Sequence, residues 1–303
     1  MITKFGCKNI KAIRTFTKID IKPITVIMGE NSSGKSSLLQ ALSLLYVNTI
    51  FGQIIQKIKY NNSFSEFGDN DSFKNKGEDI ELYFEIDDKD TKLLLIYQDD
   101  VNNNEYGILK SIKIDNEDMI YIFMLNDLGS YDIKIVTIKN SEYNFLLDFD
   151  MTASSKLNAI MFIKDTKEHY YISEILFTPI DLLTNQLQSI RHIGKLKEIN
   201  EHPLSQARLV EALFPKSRSK KHFNIIETHS EHIVNKLRYM VYKKELKSSD
   251  IVIYYKMKDS DEFIKIEIDK KGLFINNKNK CKFPKGFYDA TLEENFEIET
   301  ANI

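Results

Sequence analysis

The chain has 303 residues, 42% of them hydrophobic and 28% charged, with a formal net charge of −2. That length holds one large domain or two modest ones with real cores. The near-neutral charge argues against general coating of nucleic acid and leaves only a local basic patch to consider. Two cysteines, Cys7 and Cys281, without CxxC spacing argue against a disulfide scaffold or a cysteine zinc site, and fit a reducing cytoplasm. The start "MITKFGCKNIKAIRTF" lacks the apolar core of a signal peptide, and no run approaches the roughly 20 apolar residues of a membrane span.

The first ~50 residues read as strand, strand, tight loop, helix. "FTKIDI" alternates like a half-exposed strand, and "ITVIM" is the continuous apolar run of a buried one. After the loop, Leu38, Leu39, Leu42, Leu45 and Tyr46 recur at helical spacing in "KSSLLQALSLLYVNTI". A long polar stretch follows, and then short β-type runs divided by Asp/Asn turns, from "IELYFEI" to "NAIMFIK". These predict an antiparallel β-rich insertion. Pro179 and Asp181 mark the start of a helical stretch, and a helix near 204–214 precedes the strand "FNIIE". A helix from about 230 and the strands "DIVIYYK" and "EFIKIEI" complete an alternating last third. The pattern predicts an α/β core built from both ends of the chain around the β-rich middle. The expected division is 1–51 for the N-terminal part of the core and 52–172 for the loop and β-rich subdomain. Residues 173–270 would be the helical segment and C-terminal part of the core, and 271–303 a tail.

The tight loop carries the strongest signal. "GENSSGKSS" separates Gly29 by four residues from the run Gly34-Lys35-Ser36, the Walker A pattern, between a buried-type strand and an amphipathic helix. The glycines let the backbone wrap a phosphate, so that N–H groups of Glu30, Asn31, Ser32, Ser33 and Ser37 and the helix N-terminus face anionic oxygens. Lys35 has the reach for the β- and γ-phosphates, and the Ser36 hydroxyl is the expected magnesium ligand. ATP and Mg2+ are therefore the expected cofactors. A GTPase would need an NKxD element after its DxxG; "DKKG" at Asp269–Gly272 is followed by none and reads as a turn.

A second element is "NIIETHSEHIVNKLR": an apolar strand ends at Glu227, and Thr228-His229-Ser230 opens a helix with Ser230 as its N-cap. A histidine at a strand's C-terminal edge can reach the γ-phosphate of a nucleotide held by the loop.

At this point a resemblance becomes specific. "FTKIDIKPITVIMGENSSGKSSLLQALSLL" resembles the opening of ABC-like ATPases of the RecF/SMC type, a branch that includes the OLD (overcoming lysogenization defect) family. "IIETHSEHIVNKLR" is similar to their histidine-switch segment, and "FPKGFYD" to the Pro-x-Gly-Phe-(Phe/Tyr)-Asp tail of one prokaryotic group. The resemblance implies a P-loop NTPase fold of the ABC type and makes His229 the γ-phosphate switch. Lys11 and Arg14 are candidates for the base or ribose, or are solvated loop charges. It also implies a homo-oligomer assembled around ATP and a partner effector such as a nuclease, in antiphage defence or DNA metabolism. The alternative is a nucleotide-sensing scaffold with little hydrolysis.

The same family places an apolar strand with a Walker B acid, then a catalytic glutamate and a His-Pro pair, ahead of a helix. In "EINEHPLSQARL" Glu198 falls on the catalytic glutamate, His202-Pro203 on the pair and Gln206 in the helix. The preceding "RHIGKLK" does not read as the missing strand. Three explanations stand: a segment between Lys197 and Glu198 is missing from this chain, the gene carries a deletion there, or Glu198 is an ordinary surface residue. Asp148 in "FLLDFD" is the best substitute acid, and "KSRSKKH" at 216–222 the only dense basic run.

Overall fold

The computed structural model describes residues 1–50, 57–60, 77–86, 91–103, 105–116, 119–125, 131–137, 142–147, 160–162, 169–171, 183, 185–187, 190–195, 208, 210–211, 223–258, 260, 262–276 and 279–280. The chain begins with β1 (Ile2–Lys8), β2 (Thr17–Asp20), β3 (Ile24–Gly29) and α1 (Lys35–Ile50). The middle holds β4 (Lys57–Lys59), β5 (Ile80–Ile86), β6 (Thr91–Asp99), β7 (Tyr106–Asp115), β8 (Met119–Leu125), β9 (Tyr131–Thr137) and β10 (Glu142–Leu147). Two short strands follow, β11 (Ile160–Phe162) and β12 (His169–Tyr171). The last third contains β13 (Ile190–Lys195), β14 (Phe223–Glu227), α2 (Glu231–Tyr242), β15 (Ile251–Lys256), β16 (Phe263–Ile268), β17 (Phe274–Asn276) and β18 (Asn279–Lys280).

Contacts divide the chain into two units, Met1–Asp20 with Ser37–Ser189, and Ile21–Ser36 with Ile190–Ile303. The division runs through the N-terminal segment and the first turn of α1.

The first unit is built on an antiparallel sheet in the order β10-β9-β8-β7-β6-β5-β1-β2, with β4 paired to β7. β5 and β6 alternate as a half-buried sheet requires. In β5, Ile80, Leu82, Phe84 and Ile86 are buried while the residues between them are only half-buried. Phe5 of β1 lies opposite Phe84 in register, ring centroids 5.2 Å apart. Charged residues on the face turned away pair across strands: Lys8 with Glu81 at 3.0 Å, Lys4 with Glu85 at 2.6 Å. The N-terminal strands β1 and β2 thus join the β-rich sheet through the β1–β5 ladder.

The second unit is built on a sheet in the order β13-β14-β3-β15-β16-β17-β18. Its first four strands run parallel, and β16 turns antiparallel. β3, β14 and β15 are buried along their whole length, as strands covered on both faces must be. Ile24, Val26 and Met28 of β3 form one core with Ile226, Ile253 and Tyr255 and with Ile233, Val234, Leu237, Met240 and Val241 of α2. Ser230 caps α2 as its sequence predicts, its side chain accepting from the Ile233 N–H at 3.3 Å. "DKKG" is the turn between β16 and β17: Gly272 N–H donates to the Asp269 carbonyl at 3.0 Å, and the Asp269 carboxylate accepts from the Lys271 and Leu273 N–H groups.

Ile190–Lys195, which does not read as the missing acid-bearing strand, forms a strand without an acidic residue, β13, paired in parallel with β14 from Ile190↔Phe223 to Lys195↔Glu227. Among the described residues it ends the sheet. A strand laddered to one neighbour does not need the continuous apolar run of an interior parallel strand.

Candidate functional site

The parallel register brings the C-terminal ends of β3 and β14 side by side, the edge at which α/β sheets bind ligands. Glu227 pairs with Ile27, and the Thr228 N–H donates to the Ile27 carbonyl at 3.1 Å. The glycine-rich loop leaves β3 at this edge. Gly29 has φ +138°, and a Cβ there would stand 2.0 Å from the Lys256 carbonyl oxygen of β15. Only glycine lets the two backbones approach this closely. The next N–H, that of Glu30, donates to the same carbonyl at 3.1 Å, and the Glu30 carboxylate accepts from the Lys258 N–H at 3.2 Å. Ser32 (φ +60°) and Gly34 (φ +98°) then turn the chain through left-handed conformations into α1.

Side chains follow from this path. Lys35, first residue of α1, is only 3% exposed, and its ammonium donates to the Glu30 carbonyl across the loop. The Ser33 hydroxyl is buried without a hydrogen-bond partner. Ser36 points to the neighbouring strand: its hydroxyl lies 3.0 and 2.8 Å from the two carboxylate oxygens of Glu227. Glu227 is itself 3% exposed. His229 follows at the same sheet edge, half-buried between β14 and the α2 cap, where Thr228 Oγ1 accepts from the Ser230 N–H at 3.0 Å.

The remaining candidates among the described residues are assigned to the first unit. Ser37 belongs to the first unit, its hydroxyl accepting from the Ala12 N–H at 3.4 Å. Lys11 and Arg14 also belong to that unit; Arg14 is exposed, and burial lowers the Lys11 ammonium below its ordinary value. Glu198, Asp148, the basic run at 216–222 and the "FPKGFYD" tail fall outside the described residues, as does the junction of Lys197 with Glu198. What the sequence reading missed is the carboxylate of Glu227, treated there only as a strand end. A charge closing an otherwise apolar strand was the available signal.

These residues fit a magnesium nucleotide. The loop offers a buried hydroxyl lacking a partner, left-handed turns at Ser32 and Gly34, and a buried ammonium. Beside them stands one hydroxyl–carboxylate pair. Among the described residues no cluster of three or more His, Cys, Asp or Glu could cage a metal ion. Mg2+ commonly takes one or two protein groups and completes its shell with phosphate and water.

A phosphate loop on the interior strand of a parallel sheet, with a helix starting at its lysine, defines the P-loop NTPase class. Residues 1–193 match the family described as the AAA ATPase domain, well over half of the chain, and the chain belongs to that family. It is 28% identical over 213 residues to the uncharacterized protein MJECL44 of Methanocaldococcus jannaschii. That match takes in 68% of this chain and 57% of the relative, so the chain spans little more than half the relative's length. Among solved structures, the chain is similar to an SMC head domain from Thermotoga maritima, at 11% identity and a TM-score of 0.33, over 88% of this chain and 99% of that one. It is also similar to the recombination mediator RecF solved with ATP, at 12% identity and a TM-score of 0.22, over 80% and 43%. No helix among the described residues is long and apolar enough to cross a membrane.

Proposed function

We propose that the chain binds ATP with Mg2+ at the Gly29–Ser37 loop, hydrolyses it, and uses the cycle to assemble with a second copy and control a partner effector. The observation that supports this best is the loop itself: Lys35 and the partnerless Ser33 hydroxyl are buried where its backbone turns through left-handed conformations at Ser32 and Gly34. Lys35 would exchange the Glu30 carbonyl for phosphate oxygens, a stronger, charge-assisted partner. Gly34 and the start of α1 would supply backbone N–H groups, and Ser36 a metal ligand. Bound Mg2+ would neutralise charge on the β- and γ-phosphates. His229 stands at the sheet edge to sense the γ-phosphate, and Glu198 is the proposed general base for water. ABC-like assembly, an OLD-type relationship, a role in antiphage defence or DNA metabolism, and a cytoplasmic location complete the reading.

A second reading, an ATP-sensing scaffold with little turnover, is favoured by one observation. β13, the strand beside β14, contains no acidic residue and closes on Lys195. One pair of measurements separates the two: ATP binding and steady-state turnover of the wild-type chain, repeated with Glu198→Gln. The first reading expects turnover that the variant loses while retaining ATP. Binding without turnover selects the scaffold, and the absence of ATP binding removes both.

A further inference from the structure

We propose that Glu227 is the acidic partner of the magnesium site: it accepts the Ser36 O–H and thereby orients that hydroxyl's free lone pair toward the cation. The inference rests on the nucleotide reading above and adds a residue to it.

The carboxylate's surroundings carry the argument. Glu227 closes a strand whose five residues are all buried, and it is 3% exposed. A carboxylate removed from water to that degree is costly unless it is paired or well bonded. Among the described residues no lysine, arginine or histidine forms an ion pair with it, and Ser36 is the side chain that bonds it. One hydroxyl has one proton to give. Although both carboxylate oxygens lie within 3.0 Å of Ser36 Oγ, the hydroxyl has one proton for them and satisfies one lone pair. The carboxylate keeps acceptor capacity that a cation's ligand shell can use.

Ser36 identifies which cation. The serine after the lysine of this loop is the hydroxyl that P-loop proteins place on Mg2+, and an acidic residue from a neighbouring strand shares that task. Here the acid in contact comes from β14, directly next to the loop's own strand. β13, one strand further out, closes on Lys195 in register with Glu227 and contains no acid. A carboxylate accepting the proton of a ligating hydroxyl fixes its orientation and raises its basicity toward the metal, the service that outer partners of metal ligands provide.

The placement is rigid on both sides. Upstream, Asn224 to Glu227 are laddered to Ile24–Ile27 of β3. Downstream, the Thr228 N–H is tied to the Ile27 carbonyl, its hydroxyl to the Ser230 N–H, and Ser230 caps α2. Glu227 is therefore set by a sheet and a helix start, and Ser36 by the first turn of α1, so both groups are held before any ligand arrives.

Isothermal titration of the full chain with ATP, once in excess EDTA and once in excess Mg2+, tests the assignment. Wild type should bind ATP more tightly with Mg2+. Glu227→Gln, which keeps the shape and an acceptor for Ser36 but removes the charge, should bind ATP in EDTA as wild type does. Its gain on adding Mg2+ should shrink by about 10–100-fold, the usual loss when an outer partner of a metal ligand is removed. Ser36→Ala should lose the same gain, and the double variant should lose little more. A full Mg2+ gain in Glu227→Gln overturns the proposal. An equal loss of affinity in EDTA and in Mg2+ also overturns it, because it would make Glu227 only a structural tie between β14 and α1. If Glu227→Gln does not fold, Glu227→Asp, with the charge retained but drawn back, takes its place; a reduced Mg2+ gain supports the proposal and an undiminished one overturns it. Failure of wild type to bind ATP at all is a different result, since it removes the nucleotide reading itself.

Discussion

The two sheets put their charges to opposite uses. In the antiparallel sheet, charged residues on the outer face of β1, β2 and β5 neutralise one another across the ladder: Lys8 with Glu81, and Lys4 and Lys18 with Glu85. In the parallel sheet, β3, β14 and β15 are buried on both faces, and polar chemistry gathers at one edge, where Glu227, Thr228, His229 and the Gly29–Ser36 loop follow one another off the strand ends. A half-solvated sheet can satisfy a charge anywhere on its outer face. A sheet covered on both sides can carry one only where its strands stop, so its charges converge.

If that contrast is right, the largest effect should come from the point where the strand ends touch. Gly29→Ala would set a Cβ 2.0 Å from the Lys256 carbonyl oxygen and force a side chain into φ +138°. The expected cost is on the order of 4 kcal/mol, enough to unfold the second unit under mild denaturant. Urea unfolding followed by hydrogen exchange should show β3, β14 and β15 losing protection before β5 and β6; uniform loss would contradict the separation. Next in size is Lys35→Ala. It removes a buried ammonium from the loop, and the expected loss in ATP binding is about 2–3 kcal/mol, the worth of a charge-assisted bond to phosphate. Calorimetry with ATP measures it, and affinity within threefold of wild type (about 0.7 kcal/mol) would show that the edge is not where phosphate is held.

The same contrast explains what could be read from the sequence. The interior strands and their loop were legible because double burial leaves a continuous apolar run, and "ITVIMG", "FNIIE" and "IVIYYK" announce both the strand and its end. β5 and β6 were legible from alternation. β1 went unread because its buried residues, Ile2, Phe5, Gly6 and Cys7, do not alternate: the register shifts between Ile2 and Lys4, and a bulge breaks the period-2 pattern. β13 was not read as the acid-bearing strand because "IRHIGK" lacks the apolar run of an interior strand; among the described residues it ends the sheet. The loop and the Ser230 cap are local motifs and were readable. The Ser36–Glu227 contact joins residues 191 apart in sequence, and no local pattern contains it.

Smaller perturbations sharpen the comparison further. Ser230→Ala removes the acceptor of the Ile233 N–H at the start of α2 and should cost about 1 kcal/mol, with most of the loss confined to the second unit. If His229 acts from this cap, its response to nucleotide should weaken while ATP affinity in EDTA holds. The histidine's NMR signals during an ATP titration would report this, and an unchanged response would free His229 from the cap.

The smallest effect belongs to the antiparallel sheet and is readable through pH. Burial pushes the Glu85 carboxyl up, but hydrogen bonds from Lys4, Tyr83 and Lys18 outweigh it and hold the group at about 2. An unfolded glutamate titrates near ~4.3. The folded chain therefore holds fewer protons on this group, and its contribution is complete above the unfolded value and fades as pH falls toward 2. Both lysines are well exposed, so the cluster should be worth no more than about 1 kcal/mol at neutral pH. Glu85→Gln should consequently lower stability at pH 7 by less than about 1 kcal/mol and converge on wild type near pH 2. Chemical denaturation across that range provides the measurement. A deficit that persists undiminished at low pH would mean that Glu85 acts through packing, and that the outward charges of this sheet do not neutralise one another as their geometry indicates.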